Sequence, residues 1–169
     1  EWGHDFRPDY LEISKARKEF PNAVFLALTA TATRQVQNDI VKNLDMDNPD
    51  ILVASFNRPN IFLGVEPKAD PIQQVYDFIG DHLDESGIIY CFSRKQVDEV
   101  AEKLQRKGLK VLNYHAGLSD AVRARNQKAF IQDKADIMVA TVAFGMGINK
   151  PDVRWVIHYD MPKSIEQYY

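Results

Sequence analysis

Ile88-Ile89-Tyr90-Cys91-Phe92-Ser93-Arg94-Lys95-Gln96-Val97 runs from a strand straight into a helix. Its first five residues are all apolar or aromatic, without the alternation of a half-solvated strand. That is the pattern of a strand covered on both faces. Ser93 followed three residues later by Gln96 forms a capping box, in which two side chains satisfy the free amides that begin a helix. Behind it Val97, Val100 and Leu104 recur at helical spacing, and Gly108 ends the helix as a C-cap. A doubly covered strand followed at once by an amphipathic helix is half of a βαβ unit.

The same alternation extends both ways. Downstream come a strand over residues 111–114, a loop from His115 to Leu118, and a helix from 119 to 130. A strand over 137–140, a glycine-bearing loop through Pro151 and a strand over 153–159 follow. Upstream lie a strand over 61–65 and a helix bearing Ile72, Val75, Ile79 and Leu83. Phe56-Asn57-Arg58-Pro59-Asn60 interrupts the pattern with a Pro and two Asn and predicts a domain junction. Before it the sequence predicts a helix over 8–20 stopped by Pro21, and strands over 23–28 and 51–55. A helix between those strands carries Val36, Ile40 and Leu44 on one face. The expectation is two bodies, residues 1–57 and 58–169. The second is α/β, an open parallel sheet of about five strands with its loops at the strands' carboxyl ends.

Composition narrows the function classes. At 169 residues, 45% apolar and 27% charged, the chain buries a real core and is neither a disordered tail nor a membrane protein. One cysteine excludes an internal disulfide or a cysteine-based zinc site. Intracellular residence is the simplest expectation, cytoplasmic in a bacterium or nuclear in a eukaryote. A net charge of −3 excludes adhesion to nucleic acid through bulk positive charge, but not through a few placed amides and guanidinium groups. Ser164-Ile165-Glu166-Gln167 is a second capping box that announces a helix just before Tyr169, which reads as a piece of a longer protein.

Ligands of such sheets bind at the carboxyl ends of the strands. Ser93 and Arg94 open a helix there, where free amides and a partial positive charge hold phosphate and a guanidinium adds a planar fork. The bland alternative is a cap and a solvated arginine. His115-Ala116-Gly117 lacks the partners of a metal site, and alone its histidine reads as a hydrogen-bonded structural residue. Thr141 to Pro151 carries Gly145 and Gly147 for close backbone approach, and Thr141 and Asn149 for hydrogen bonds. Thr29 and Thr31 sit in a small, hydroxyl-rich turn suited to a hinge or a helix cap. Trp2, Phe6 and Arg7, with His4 and Asp5, form an aromatic-polar stretch suited to base stacking or to burial in a core. Asp98-Glu99-Val100-Ala101 superficially resembles a magnesium-binding acidic box but falls in mid-helix, where carboxylates read as a solvated face. No G-x-x-x-x-G-K-[ST] phosphate loop occurs.

Taken in order, these loops resemble the motor core of the RecQ branch of superfamily 2 helicases. Trp2-Gly3-His4-Asp5-Phe6-Arg7-Pro8 resembles the aromatic-rich loop, and Leu28-Thr29-Ala30-Thr31-Ala32 resembles motif III. Ile89 to Arg94 resembles motif IV, Tyr114 to Leu118 the stretch after it, and Val139 to Pro151 motif V. Ser164 to Tyr169 is similar to the lead-in to motif VI. The resemblance implies a RecA-like sheet with helices on both faces, preceded by the tail of a first RecA-like lobe. It implies ATP and Mg2+ as cofactors of the parent protein, neither held tightly by this piece, and single-stranded and duplex DNA as partners together with the rest of the first lobe. It further implies 3′-to-5′ translocation in DNA repair and recombination, and an inactive isolated chain. By the same resemblance Ser93, Arg94, His115, Gly117 and Thr141 face the DNA backbone. Gly147 and Asn149 approach the nucleotide's ribose, Asn149 standing where many superfamily 2 relatives carry an acid. Trp2, His4, Asp5, Phe6, Arg7, Thr29 and Thr31 couple DNA to hydrolysis. The competing expectations are a non-catalytic RecA-like adaptor and a Rossmann-type enzyme, the latter disfavoured by the missing G-x-G-x-x-G.

Overall fold

The structure is a computed structural model that describes residues 12–29, 32–54, 58–145, 148–163 and 168. The chain divides into two compact units, Glu1–Leu63 and Gly64–Tyr169.

In the first unit, α1 spans Ile13–Glu19 and α2 spans Arg34–Asn43. Thr33 caps α2 by accepting a hydrogen bond from the Val36 amide at 3.3 Å, so the threonine-rich turn does serve as a helix start. Among the described residues no strand forms over 23–28, over 51–54 of the run expected at 51–55, or over 61–65. Val24, Leu52 and Phe62 are more than nine-tenths exposed, and α2 buries none of its residues. A strand exists only through a lateral partner. Among the described residues none of these three runs has one, so apolar sequence alone does not make it a strand.

The second unit is built on β1 (Ser86–Tyr90), β2 (Val111–Tyr114), β3 (Ile137–Ala140) and β4 (Val153–His158), in the order β2-β3-β1-β4 and all parallel. Its helices are α3 (Pro71–Gly80), α4 (Arg94–Arg106) and α5 (Asp120–Ile131). Alternate residues of the central strands serve opposite faces. Ile89, Ile137 and Val139 join Val75 and Ile79 of α3 and Val97, Val100 and Leu104 of α4 in one core. Ile88, Met138 and Ala140 join Phe130 of α5 and Phe144 in the other. This is why β1 and β3 carry no polar alternation. The connection from β1 to β2 crosses the sheet in one direction and that from β2 to β3 returns in the other. Right-handed crossovers therefore place α4 and α5 on opposite faces.

The ends of these elements follow local chemistry. Asp70 caps α3 through the Gln73 amide at 3.2 Å, with Pro71 at the first helical position. Lys103 and Arg106 lie in the last turn of α4, opposite in sign to the helix's carboxyl end. The edge strand β2 has its outer carbonyls taken by side chains. Gln105 of α4 donates to the Val111 oxygen at 2.8 Å, and Asn126 of α5 donates to the Asn113 oxygen at 2.9 Å. Those bonds close an edge that would otherwise accept another strand.

Gly87 lies under the Trp155 indole, where a β-carbon would sit 2.1 Å from the ring. Because Trp155 itself is buried, it has no free direction in which to retreat. Gly87→Ala is expected to destabilise the second unit by about 1–3 kcal/mol, the usual range for overpacking. A denaturant midpoint unchanged from the parent would show that the indole moves aside freely.

Candidate nucleic-acid interface

Strands β2, β3 and β1 are neighbours, so the loops leaving their carboxyl ends are neighbours too. One carries His115 and Gly117, the next Thr141, and the third Ser93 and Arg94. The ladders continue a residue past the strands and fix the loops' starts. The Thr141 amide donates to the Tyr114 carbonyl at 3.2 Å, and the Cys91 amide to that of Ala140 at 2.9 Å. Five of the expected site residues thus gather at one end of one sheet. Cys91 is buried among them, and burial first, then Asp160, pushes its thiol up to about 12, so it is an inert packing residue.

At the start of α4, Ser93 accepts from the Gln96 amide at 3.1 Å. Gln96 reaches back to the Phe92 amide at 3.2 Å rather than to that of Ser93, one residue earlier than a standard capping box. No acidic residue occupies the first turn of this 13-residue helix, so its partial positive charge stands uncompensated. The Arg94 side chain is exposed and makes no hydrogen bond or ion pair among the described residues.

His115 is different in kind. It is buried, with both ring nitrogens engaged within the fold. The Gly117 amide donates to its Nδ1 at 3.1 Å, which makes Nε2 the protonated nitrogen facing Asp98 Oδ1 at 2.9 Å. The same carboxylate oxygen accepts from Asn113 Nδ2 at 2.6 Å. Gly117 packs between the His115 ring and the Arg94 stem, where a β-carbon would lie 3.0 Å from Nδ1 and 3.2 Å from Arg94 Cδ. His115 therefore acts through the turn it shapes.

The loop after β3 is fastened at both ends. Phe144 is buried against Tyr114 and Phe130, with ring centroids 4.7 and 6.0 Å away. Its carbonyl accepts from the Tyr90 hydroxyl at 2.9 Å. Gly145 follows at φ +132 with Tyr90 Oη 2.8 Å from where a β-carbon would be, so only glycine fits. At the other end the Lys150 ammonium is buried between Asp133 at 2.5 Å and Asp152 at 3.0 Å. Burial pulls its pKa down, but the hydrogen bonds to Asp133 and Asp152 outweigh it and hold it above the ordinary lysine range. Asn149, beside this clamp, is exposed.

Thr29, expected in the coupling turn, is exposed in the first unit. Trp2, His4, Asp5, Phe6, Arg7, Thr31 and Gly147 lie outside the described residues. Among the described residues no group of three or more His, Cys, Asp or Glu side chains could hold a metal ion.

Residues 70–169, more than half of the chain, match the helicase conserved C-terminal domain. The chain belongs to that family. Over its whole length it is 46% identical to the ATP-dependent DNA helicase RecQ of Pasteurella multocida. Over 99% of its length it is 50% identical to the ATP-dependent DNA helicase hus2/rqh1 of Schizosaccharomyces pombe. The chain spans 27% of the first protein and 13% of the second. These similarities bear out the resemblance to the RecQ branch. Among solved structures it is similar to S. cerevisiae Dbp5 bound to RNA and ADP BeF3, with a TM-score of 0.70 at 22% identity over 90% of this chain and 40% of that one. At that identity the likeness is one of fold, and it agrees with the expected RecA-like sheet.

Within this helicase C-terminal domain, sequence reasoning passed over Tyr90 and Lys150 and read Asp98 as part of a solvated helix face, whereas its carboxylate accepts from His115 and Asn113. Asp98 sits four residues after Arg94 and so on the same helical stripe, which could have marked it. Tyr90 lies within an apolar strand run and Lys150 within the loop from Thr141 to Pro151, and nothing local distinguishes either.

Removing the lysine clamp has a predicted acid signature. The Lys150 hydrogen bond holds the Asp152 carboxyl below its usual range, so its stabilisation is full above about pH 4 and is lost as pH falls through the folded value. Lys150→Met keeps the stem over Phe130 and deletes both ion pairs. We expect a lower denaturant midpoint at neutral pH, by a modest margin because both aspartates remain in contact with water. The midpoint of Lys150→Met should also change less between pH 5 and 3 than the parent's, roughly the window of a perturbed aspartate. Parallel pH profiles would rule the clamp out.

Proposed function

We propose that this chain supplies the second motor lobe, residues 58–169, and the end of the first, residues 1–57, of an ATP-driven DNA helicase acting inside the cell. The protein moves 3′ to 5′ on single-stranded DNA and separates duplex ahead of it, in repair and recombination. The observation that carries this reading is the free Arg94 guanidinium at an uncompensated helix start, with Ser93 and Thr141 on adjoining strand ends. Such a surface meets a phosphate backbone without reading bases, which is what a translocating motor requires. The relatives named as ATP-dependent DNA helicases supply the choice of DNA and ATP.

Ser93, Arg94 and Thr141 contact the strand, while His115 and Gly117 shape the surface beside them. Gly147 and Asn149 meet the ribose of ATP, which the parent protein binds with Mg2+, and no magnesium ligand is assigned to this chain. Trp2, His4, Asp5, Phe6, Arg7, Thr29 and Thr31 report DNA occupancy to the hydrolytic site.

Backbone binding is salt-dependent, with a slope of about −0.7 per neutralised phosphate on a single strand. In the full-length protein, Arg94→Ala should weaken binding to oligothymidylate roughly tenfold, the scale of a charge-assisted hydrogen bond, and flatten the slope by about one contact. Unchanged affinity and slope would remove the interface from α4. A duplex with a 3′ single-stranded tail should be unwound and one with a 5′ tail left intact; the opposite preference refutes the polarity.

The 169-residue chain alone should not hydrolyse ATP, because it contains no phosphate-binding loop. DNA-stimulated phosphate release by the purified chain would contradict that.

A further inference from the structure

Helix α4 presents its cations and carboxylates at i, i+4 spacing, where oppositely charged side chains meet. Lys95 pairs with Glu99 at 3.6 Å, and Arg106 with Glu102 at 2.6 Å. Arg94 and Asp98 have the same spacing and the same polarity as Lys95 and Glu99, yet they do not pair. The reason is visible on the neighbouring strand. Asp98 Oδ1 already accepts from His115 Nε2 at 2.9 Å and from Asn113 Nδ2 at 2.6 Å.

We infer that His115 and Asn113 hold the Asp98 carboxylate toward β2 and so keep Arg94, one helical turn before it, open to a phosphate. The inference rests on the DNA-facing reading of Arg94. It makes Asp98, His115 and Asn113 positioning residues for the backbone contact, none of which needs to touch DNA.

Three features support it. The His115 ring is buried and fixed from its other side by the Gly117 amide, so its Nε2 has one orientation to offer. Asn113 is itself held through Asn126, which donates to its carbonyl at 2.9 Å and to its side-chain oxygen at 3.3 Å. The Arg94 stem lies along Gly117, directed by packing and not by an ion pair. A free carboxylate at this position would compete with every phosphate for the same guanidinium. Two donors on one oxygen turn the carboxylate toward β2 and away from that competition.

The test is a double-mutant cycle in the full-length protein, without nucleotide, read as anisotropy of a labelled oligothymidylate. His115→Phe keeps an aromatic ring in the site and releases Asp98, which should then pair with Arg94 and weaken binding about threefold, the scale of an exposed ion pair. Asn113→Ala should act in the same direction. Placed in an Asp98→Asn background, His115→Phe should have no effect, because no competing charge remains. In an Arg94→Ala background it should likewise add nothing. Thermal midpoints measured on the same preparations separate loss of fold from loss of the contact. A loss on His115→Phe that is equal with and without Asp98→Asn would overturn the inference and make His115 a builder of the turn only. No loss on His115→Phe would overturn it too. If Arg94→Ala alone leaves binding intact, the DNA-facing reading fails, and this inference with it.

Discussion

Parallel strands cannot be joined by a tight turn. Each return to the starting edge of the sheet needs a crossover, and the crossover's right-handedness decides which face its helix covers. In the second unit that constraint does most of the organising. It sends α4 to one face and α5 to the other, buries β1 and β3 between two cores, and brings the loops carrying Arg94, His115 and Thr141 out at one end. A site made of residues distant in sequence is then a consequence of chain direction.

What turns that cluster of loops into a defined surface is a set of polar bonds made where water is scarce. Tyr90 holds the Phe144 carbonyl, Lys150 ties its loop to Asp133 and Asp152, and His115 is bonded on both ring nitrogens. A buried donor or acceptor left unpaired is expensive, so each of these bonds fixes a geometry as well as adding stability. The groups left without such bonds are the outward-facing ones. Arg94 is the clearest case, and its freedom depends on how fully its neighbours are engaged.

The first unit shows the reverse situation. Its apolar runs have the composition of buried strands, but composition supplies no hydrogen-bonding neighbour. Val24, Leu26 and Leu28 stay exposed, as do Leu52 and Val53. The helices of that unit form because their hydrogen bonds are internal and Thr33 completes one end.

The division between local and distant causes accounts for what could be read in advance. Capping at Ser93, the periodicity of Val97, Val100 and Leu104, and the unbroken apolar runs of β1 and β3 are local patterns. They determined the α/β class, the helices and the ends of the sheet where a ligand can bind. The ordered loops from Ile89 to Pro151 carried the family resemblance for the same reason, since each motif is a continuous segment. Strand order and pairing are not local. Whether residues 23–28 or 61–65 become strands depends on a partner elsewhere, and no periodicity reports it. Nor does the sequence reveal that Asp98 turns from its helical neighbour Arg94 to His115 and Asn113, or that Lys150 is buried between two aspartates. Those pairings depend on which side chains the crossovers bring within about 3 Å of each other, the reach of a hydrogen bond, and folding alone sets that distance.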